Sequence, residues 1–299
     1  MKPQPVLSDM PRHIKQSIVD YVDPATKHDL RQCSKEFKTL VANSPVKYDH
    51  IYIRPSEGFI KIEFDYTFRF HHRVSLTLKN VRGDVCIQSS EWQTIKPRKD
   101  EIKLAVDLVM KVLGNPKVSL RELDILPEPA RNASKHSRIV FRMLGQLHSK
   151  LKKLNRQISV EGLTLPILQN METAHLIMPY LKPGVLKWLS FTNQGLCNDE
   201  VLHPFAQLEQ WKKAWGVHTW WRSQHYTSFT TTLPFDNWKH FEITQLRIRH
   251  LTIQVVKDVI KNFCDNPNIR HTWLRFSVCD RQEILDYLKP ILDEILMNF

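Results

Sequence analysis

Leu120-Arg121-Glu122-Leu123-Asp124-Ile125, echoed by Leu186-Lys187-Trp188-Leu189-Ser190-Phe191, decides the architecture. Leucines at the first and fourth places and an apolar residue at the sixth read as a short strand with one buried side, the pattern of strand–helix repeats. Helical periodicity surrounds both stretches. Ile102, Ala105, Val106, Val109, Met110 and Leu113 form one amphipathic face, ended by Gly114-Asn115-Pro116, and Ile139, Val140, Met143, Leu144, Leu147 and Leu151 form the next. The strand Ile158-Ser159-Val160 follows, then a helix through Leu165, Leu168, Met171 and Ile177. Val255, Val256, Val259, Ile260 and Phe263 predict another helix, residues 269–276 a strand, and Ile284, Leu285, Leu288, Ile291, Leu292 and Ile295 a closing helix. Leu123, Val160, Leu189, Leu246 and Leu274 mark the strands, and the long gap after Leu189 leaves room for one more at Gly216-Val217-His218. A unit of roughly 28 to 37 residues predicts a leucine-rich-repeat-like strand–helix solenoid over residues 100–299.

Moving back toward the N-terminus, the period falls to two. Ile51 and Ile53, then Ile60, Ile62 and Phe64, then Val74, Leu76 and Leu78 alternate between turn-like Pro55-Ser56-Glu57-Gly58 and Phe70-His71-His72-Arg73. Residues 48–99 thus predict a small antiparallel β linker sheet. Residues 1–47 read as three short helices. Ser8-Asp9 offers capping oxygens before Met10-Pro11, and Ile14, Ile18, Tyr21 and Val22 share a face. Asp23-Pro24 opens a second helix carrying Leu30 and Cys33; Ser34 caps a third with Phe37, Leu40 and Val41, stopped by Asn43-Ser44-Pro45. So small a unit hides little of its surface, and its surplus apolar residues want a partner. The fold class expected is α+β: a three-helix unit, a linker sheet and a solenoid.

The chain has 299 residues and a formal charge of +12, with 8 glycines against 17 prolines. Glycine is too scarce for phosphate-cradling loops, and neither GxGxxG nor GxxxxGK[ST] occurs. Five cysteines at wide spacing, with no CxxC, fit neither a disulfide framework nor a zinc finger. No apolar leader or membrane span is legible, so a cytoplasmic or nuclear protein is expected, without cofactor or metal.

Leu7-Ser8-Asp9-Met10-Pro11 with Ile14, Ile18 and Val19, followed by Asp29-Leu30-Arg31-Gln32-Cys33-Ser34-Lys35-Glu36-Phe37 and Leu40-Val41, resembles an F-box, with Met10 where Leu is commoner and Phe37 where Trp is frequent. Leu181-Lys182-Pro183-Gly184-Val185-Leu186, Leu208-Glu209-Gln210-Trp211-Lys212-Lys213-Ala214 and Trp238-Lys239-His240-Phe241 resemble in order and spacing the FTH domain found behind F-boxes in a large nematode family. The resemblance implies a non-catalytic adaptor. Its F-box would dock on a Skp1-like protein of a cullin–RING ubiquitin ligase, and its C-terminal region would hold an unknown protein substrate, so that tethering raises the effective concentration of the reacting groups. Leu7, Met10, Pro11, Ile14, Ile18, Leu30, Cys33 and Phe37 are the expected Skp1-binding residues.

If the repeat leucines face the core, alternate side chains line the other face of the sheet. That rule assigns substrate contact to Glu122 and Asp124, Gln157 and Ser159, Trp188, Ser190 and Thr192, Arg247 and Arg249, and Trp273 and Arg275. It predicts a surface acidic at its first end and basic at its last. Residues 131–156 carry eight Lys/Arg and no acid; with Lys135, Arg138 and Arg142 on one helical face they support an alternative, a basic nucleic-acid-associated repeat protein. Trp211, Trp215, Trp220 and Trp221 read as a helix packed on the core rather than a binding patch. Adjacent His71-His72 cannot chelate together from a strand, and the trio Cys264, His271 and Cys279 lacks any motif that places it.

Overall fold

The computed structural model describes residues 9–22, 24–66, 72–127, 133–167, 175–193, 196–197, 204–218, 228–229, 240–266, 268–279 and 281–297. Near the N-terminus, α1 (Arg12–Tyr21), α2 (Pro24–Cys33) and α3 (Lys35–Asn43) follow one another closely. Ser34 Oγ accepts from Phe37 N–H at 3.2 Å and caps α3. At α1 the N-cap residue is Pro11, which has no side chain able to cap. The Pro11 carbonyl accepts from Ile14 and Lys15 N–H at 3.0 and 3.1 Å. Val19, Leu30, Phe37 and Leu40 close a small core of their own. Lys15, buried on α1, reaches Glu36 on α3 at 2.7 Å.

This unit is tied to the sheet through its last turn. Lys117 Nζ donates to the Ala42 carbonyl and, at 3.0 Å, to Asn43 Oδ1. The Ala42 carbonyl is one of the groups that a helix end leaves without an internal partner. Buried Lys27 donates to Ser44 Oγ at 3.2 Å and to the Pro45 carbonyl at 3.1 Å, fixing the exit of the chain into β1.

The alternating runs become β1 (Val46–Ser56), β2 (Phe59–Tyr66), β3 (His72–Val81), β4 (Asp84–Gln88) and β5 (Gln93–Lys96), an antiparallel meander. Gly58 at φ +94° and Gly83 at φ +89° supply turn conformations that a side chain disfavours. Next come α4 (Glu101–Leu113), β6 (Val118–Ile125), α5 (Ala133–Lys153), β7 (Ser159–Ile167), a 3-10 turn at Met178–Tyr180, and β8 (Trp188–Asn193). After β9 (Leu196–Cys197), α6 (Glu209–Lys212), β10 (Gly216–His218), β11 (Ser228–Phe229) and β12 (Ile243–Leu251), the described chain closes with α7 (Ile253–Asp265), β13 (His271–Cys279) and α8 (Arg281–Met297).

All thirteen strands among the described residues form one sheet, so the architecture is mixed α/β. The expectation of a separate linker sheet is corrected: β1 pairs parallel with β6, Ile51 opposite Leu123 and Ile53 opposite Ile125. An isolated meander would leave the β1 edge unpaired, and β6 covers it. From β6 onward β7, β8, β10, β12 and β13 add as parallel neighbours. The strand expected at Gly216-Val217-His218 is β10, between β8 and β12.

Two local readings are also corrected. Leu165 lies in β7 rather than in a helix, because Leu163 and Leu165 alternate with Gly162 and Thr164 toward opposite faces; Leu168 and Met171 lie outside the described residues. The residue aligned with Leu123 is Leu163, not Val160. The main core lies between one face of the sheet, with Ile51, Ile62 and Leu123, and the helices α4 and α5, with Val106, Val109, Leu144 and Leu147. Trp211 is buried there, edge to face with Phe241 at 5.0 Å, while Trp215 is exposed; Trp220 and Trp221 lie outside the described residues. No helix among the described residues is long and apolar enough to cross a membrane.

Candidate functional site

Two surfaces bear the residues singled out by the sequence. On the helical unit, Pro11, Ile14 and Cys33 are exposed, Met10 and Ile18 are half-buried, and Leu7 lies outside the described residues. Ile14 and Tyr21, two turns apart on α1, are 39% and 57% exposed and give the helix an exposed apolar side. Leu30 and Phe37 point the other way, into the unit's own core, and Ile18 packs on its edge. The spacing of α2 and α3 did not separate the two faces, because on such short helices the apolar residues serve both.

The second surface is the face of the sheet turned away from α4 and α5. Register, rather than sequence order, brings its residues together. Glu122 lies opposite Gly162, Gly162 opposite Trp188, and Trp188 opposite Gly216. One step along the strands run Tyr52, Asp124, Thr164, Ser190 and His218. Gly162 and Thr164 therefore occupy the β7 places that Gln157 and Ser159 were expected to fill. Gln157 sits before β7 and donates to the Pro179 carbonyl at 3.4 Å. Arg121, Glu122, Gly162, Leu163, Thr164, Trp188, Ser190 and His218 enclose a cleft of about 320 Å³. Of the expected substrate residues, Glu122, Trp188 and Ser190 thus meet in one place. Asp124, Ser190 and Thr192 are each under a tenth exposed and form a recessed polar floor, with Glu122 and Trp188 half-exposed above it.

Glycines shape the cleft. A Cβ on Gly216 would meet Trp188 Cε3 at 2.5 Å, which means the indole already fills the space above that residue. A Cβ on Gly162 would come within 3.1 Å of Glu122 Cγ and 3.9 Å of Trp188 Cβ, so Gly162 is the floor between an acidic wall and an aromatic one. The His218 ring lies 5.3 Å from that of Trp188, tilted by 43°. Ser190 Oγ is buried with no hydrogen-bond partner among the described residues.

Beyond Glu122 the face does not end. His50 Nε2 bonds Glu122 Oε2, and His50 stacks on Tyr52 at 5.0 Å. Glu63, almost wholly buried, is ringed by Lys61 at 3.0 Å, Arg54 at 3.6 Å and Arg73 at 3.8 Å. Arg54 and Arg73 also flank the Tyr52 ring at 5.6 and 5.9 Å. The acidic pair is thus interior to the face, with a basic cluster on its β1–β3 side. The reading of an acidic first end is corrected, and it failed because the meander was taken as a separate sheet. At the other end Trp273 lies opposite Gln245 and Arg275 opposite Arg247 in the backbone register of β12 and β13; the side chains of Arg247, Arg249, Trp273 and Arg275 lie outside the described residues.

Other candidates resolve simply. His50, Glu122 and Asp124 bring one donor atom each within 4.8 Å of one another, a set with the chemistry of a divalent-cation site, though two of the three already bond each other. His271 and Cys279 stand at opposite ends of β13, about 26 Å apart at the usual rise per residue, and cannot share a reaction centre. In the basic segment, Arg142 pairs with Asp100, Lys150 with Asp107 at 2.6 Å, and Arg156 donates to the Leu113 carbonyl at 2.9 Å. Part of that positive charge is spent on α4 and its end rather than held for phosphates; the Lys135 side chain lies outside the described residues.

The chain thus presents two surfaces, the exposed apolar side of α1 on a short helical unit and the recessed polar face of the sheet. Residues 7–49 match the F-box domain, which points to a Skp1-binding adaptor role in an SCF assembly. Residues 142–291, half of the chain, match the FTH domain, and the chain belongs to that family as an F-box protein with a C-terminal FTH domain. No curated protein and no solved structure matches it.

Proposed function

We propose that this chain is the substrate-recognition subunit of a Skp1–cullin–F-box ubiquitin ligase. The exposed side of α1 with Ile14 and Tyr21, preceded by Pro11 and Met10, together with exposed Cys33 on α2, docks on a Skp1-like protein. The polar face of the sheet, with Glu122, Asp124, Trp188 and Ser190 at its centre, holds a protein substrate; Arg247, Arg249, Trp273 and Arg275 extend it along β12 and β13. The strand–helix succession from β6 on is read as an irregular leucine-rich-repeat-like solenoid, in which α4 and α5 back the sheet. The chain itself supplies no chemistry, only proximity.

The observation that carries the reading is the F-box match over 7–49 together with Ile14 left 39% exposed on α1. Ile14 and Tyr21 exposed together on one helix, beside a core that is already closed, form the kind of apolar patch a docking partner would cover. Co-expression of the full chain with a Skp1-like protein tests it: a stable complex at stoichiometric ratio is expected, and separate elution of the two proteins would overturn it.

A further inference from the structure

We infer that the cleft between Glu122 and Trp188 receives an arginine side chain from an extended segment of the captured protein. The inference rests on the adaptor reading and deepens it by naming what the face selects.

Glu122 and Trp188 sit two strands apart across Gly162, so their Cα atoms are about 9.6 Å apart at the usual strand spacing. A flat group can enter between them. At about 320 Å³ the space suits one long side chain and is at the small end of ligand sites. One wall is the indole of Trp188, seated on Gly216; the other is a carboxylate that His50 holds from the β1 side. The floor is formed by Ser190 and Thr164, both under a tenth exposed, and Ser190 Oγ has no hydrogen-bond partner among the described residues. A guanidinium is planar, stacks on an indole, and carries five donors that carboxylate and hydroxyl oxygens can accept.

Competing occupants fit less well. A lysine ammonium is compact and strongly hydrated and would use the carboxylate without the flat wall. An apolar side chain would desolvate Glu122 and give its carboxylate no donor in exchange. A phosphate or acidic side chain would meet Glu122 and Asp124 at close range; Arg121, the cation on the lining, is exposed, so solvent and salt weaken its pull.

The test uses the purified full chain, alone and with the Skp1-like protein, against a positional library of extended peptides, followed by fluorescence anisotropy on single peptides. Selection of arginine at one position is expected. Replacing that arginine by lysine should weaken binding by about tenfold, and by neutral, near-isosteric citrulline by more, through loss of the charged fork. Trp188→Ala and the near-isosteric Glu122→Gln should each weaken the arginine peptide by at least about tenfold. Selection of acidic or apolar residues, no selection at all, or an arginine peptide indifferent to both substitutions would overturn the inference. Capture of the Skp1-like protein is scored separately. Capture without arginine selection sinks only the cleft assignment, whereas arginine selection without capture sinks the adaptor reading and leaves the cleft standing.

Discussion

Gly216→Ala is the sharpest probe of how the sheet face is built. The added Cβ would stand 2.5 Å from Trp188 Cε3 and 3.2 Å from the Ile243 carbonyl oxygen. The first distance is far inside van der Waals contact, so the indole must leave its seat; the second is tight but can be relieved by a shift of a few tenths of an ångström. Forcing a methyl group into filled space costs about 1–3 kcal/mol. Alanine in place of glycine in a strand otherwise returns roughly 0.5–1 kcal/mol of backbone entropy. Gly216→Ala is therefore expected to destabilise the protein by about 1–2 kcal/mol when Trp188 is present. In a Trp188→Ala background, where the ring is gone, it should be neutral or stabilising by up to about 0.5 kcal/mol. Urea unfolding of the four proteins, followed by far-ultraviolet circular dichroism with unfolding slopes compared, gives the coupling between the two sites. Equal destabilisation in both backgrounds would place the clash at the Ile243 carbonyl and refute the seating of Trp188 on Gly216.

On α1, Ile14→Asp should abolish co-purification with a Skp1-like protein and leave the melting temperature unchanged, whereas Ile18→Asp, against the small core, should melt the helical unit; intact capture by a folded Ile14→Asp protein would remove α1 from the interface. Burial holds the His240 imidazole below its ordinary value near 6.5, outweighing the bond it donates to the Trp211 carbonyl at 2.8 Å. Unfolding then takes up a proton between the folded value and 6.5, so stability is complete above pH 6.5 and falls as the pH drops below it; His240→Leu should flatten that part of the profile, and an unchanged slope in the variant would refute it. Burial likewise lowers the ammonium of Lys27 from its ordinary value near 10.5, outweighing the nearby Asp20 charge. Its burden on folding lightens as pH rises from the lowered value to 10.5, so wild type should gain stability relative to Lys27→Met across that window; a constant or opposite change would count against it.

Features governed by neighbours in the chain were legible in the sequence. Ser34 could be read as a cap because its partner is three residues on, and α4 and α5 because each writes its buried face every three or four residues. The strand at Gly216–His218 was legible from spacing, and Glu122, Trp188 and Ser190 were assigned to one face because side-chain alternation is a property of the strand itself.

Tertiary structure decided what depends on register. The parallel pairing of β1 with β6 joins residues about seventy positions apart, and alternation does not say which strand lies beside which. That one pairing placed Glu63, Tyr52 and three cations on the same face as Glu122. The same limit hid Gly162: a small residue in β7 has no signature until register sets it between Glu122 and Trp188 and its missing side chain becomes a floor. It also hid which way Leu30 and Phe37 point, since on helices of ten and nine residues an inward and an outward apolar side chain look alike until the three helices pack. Periodicity is a local property of the chain; a cleft consists of distances between residues that the chain keeps far apart, and only packing and strand register set them.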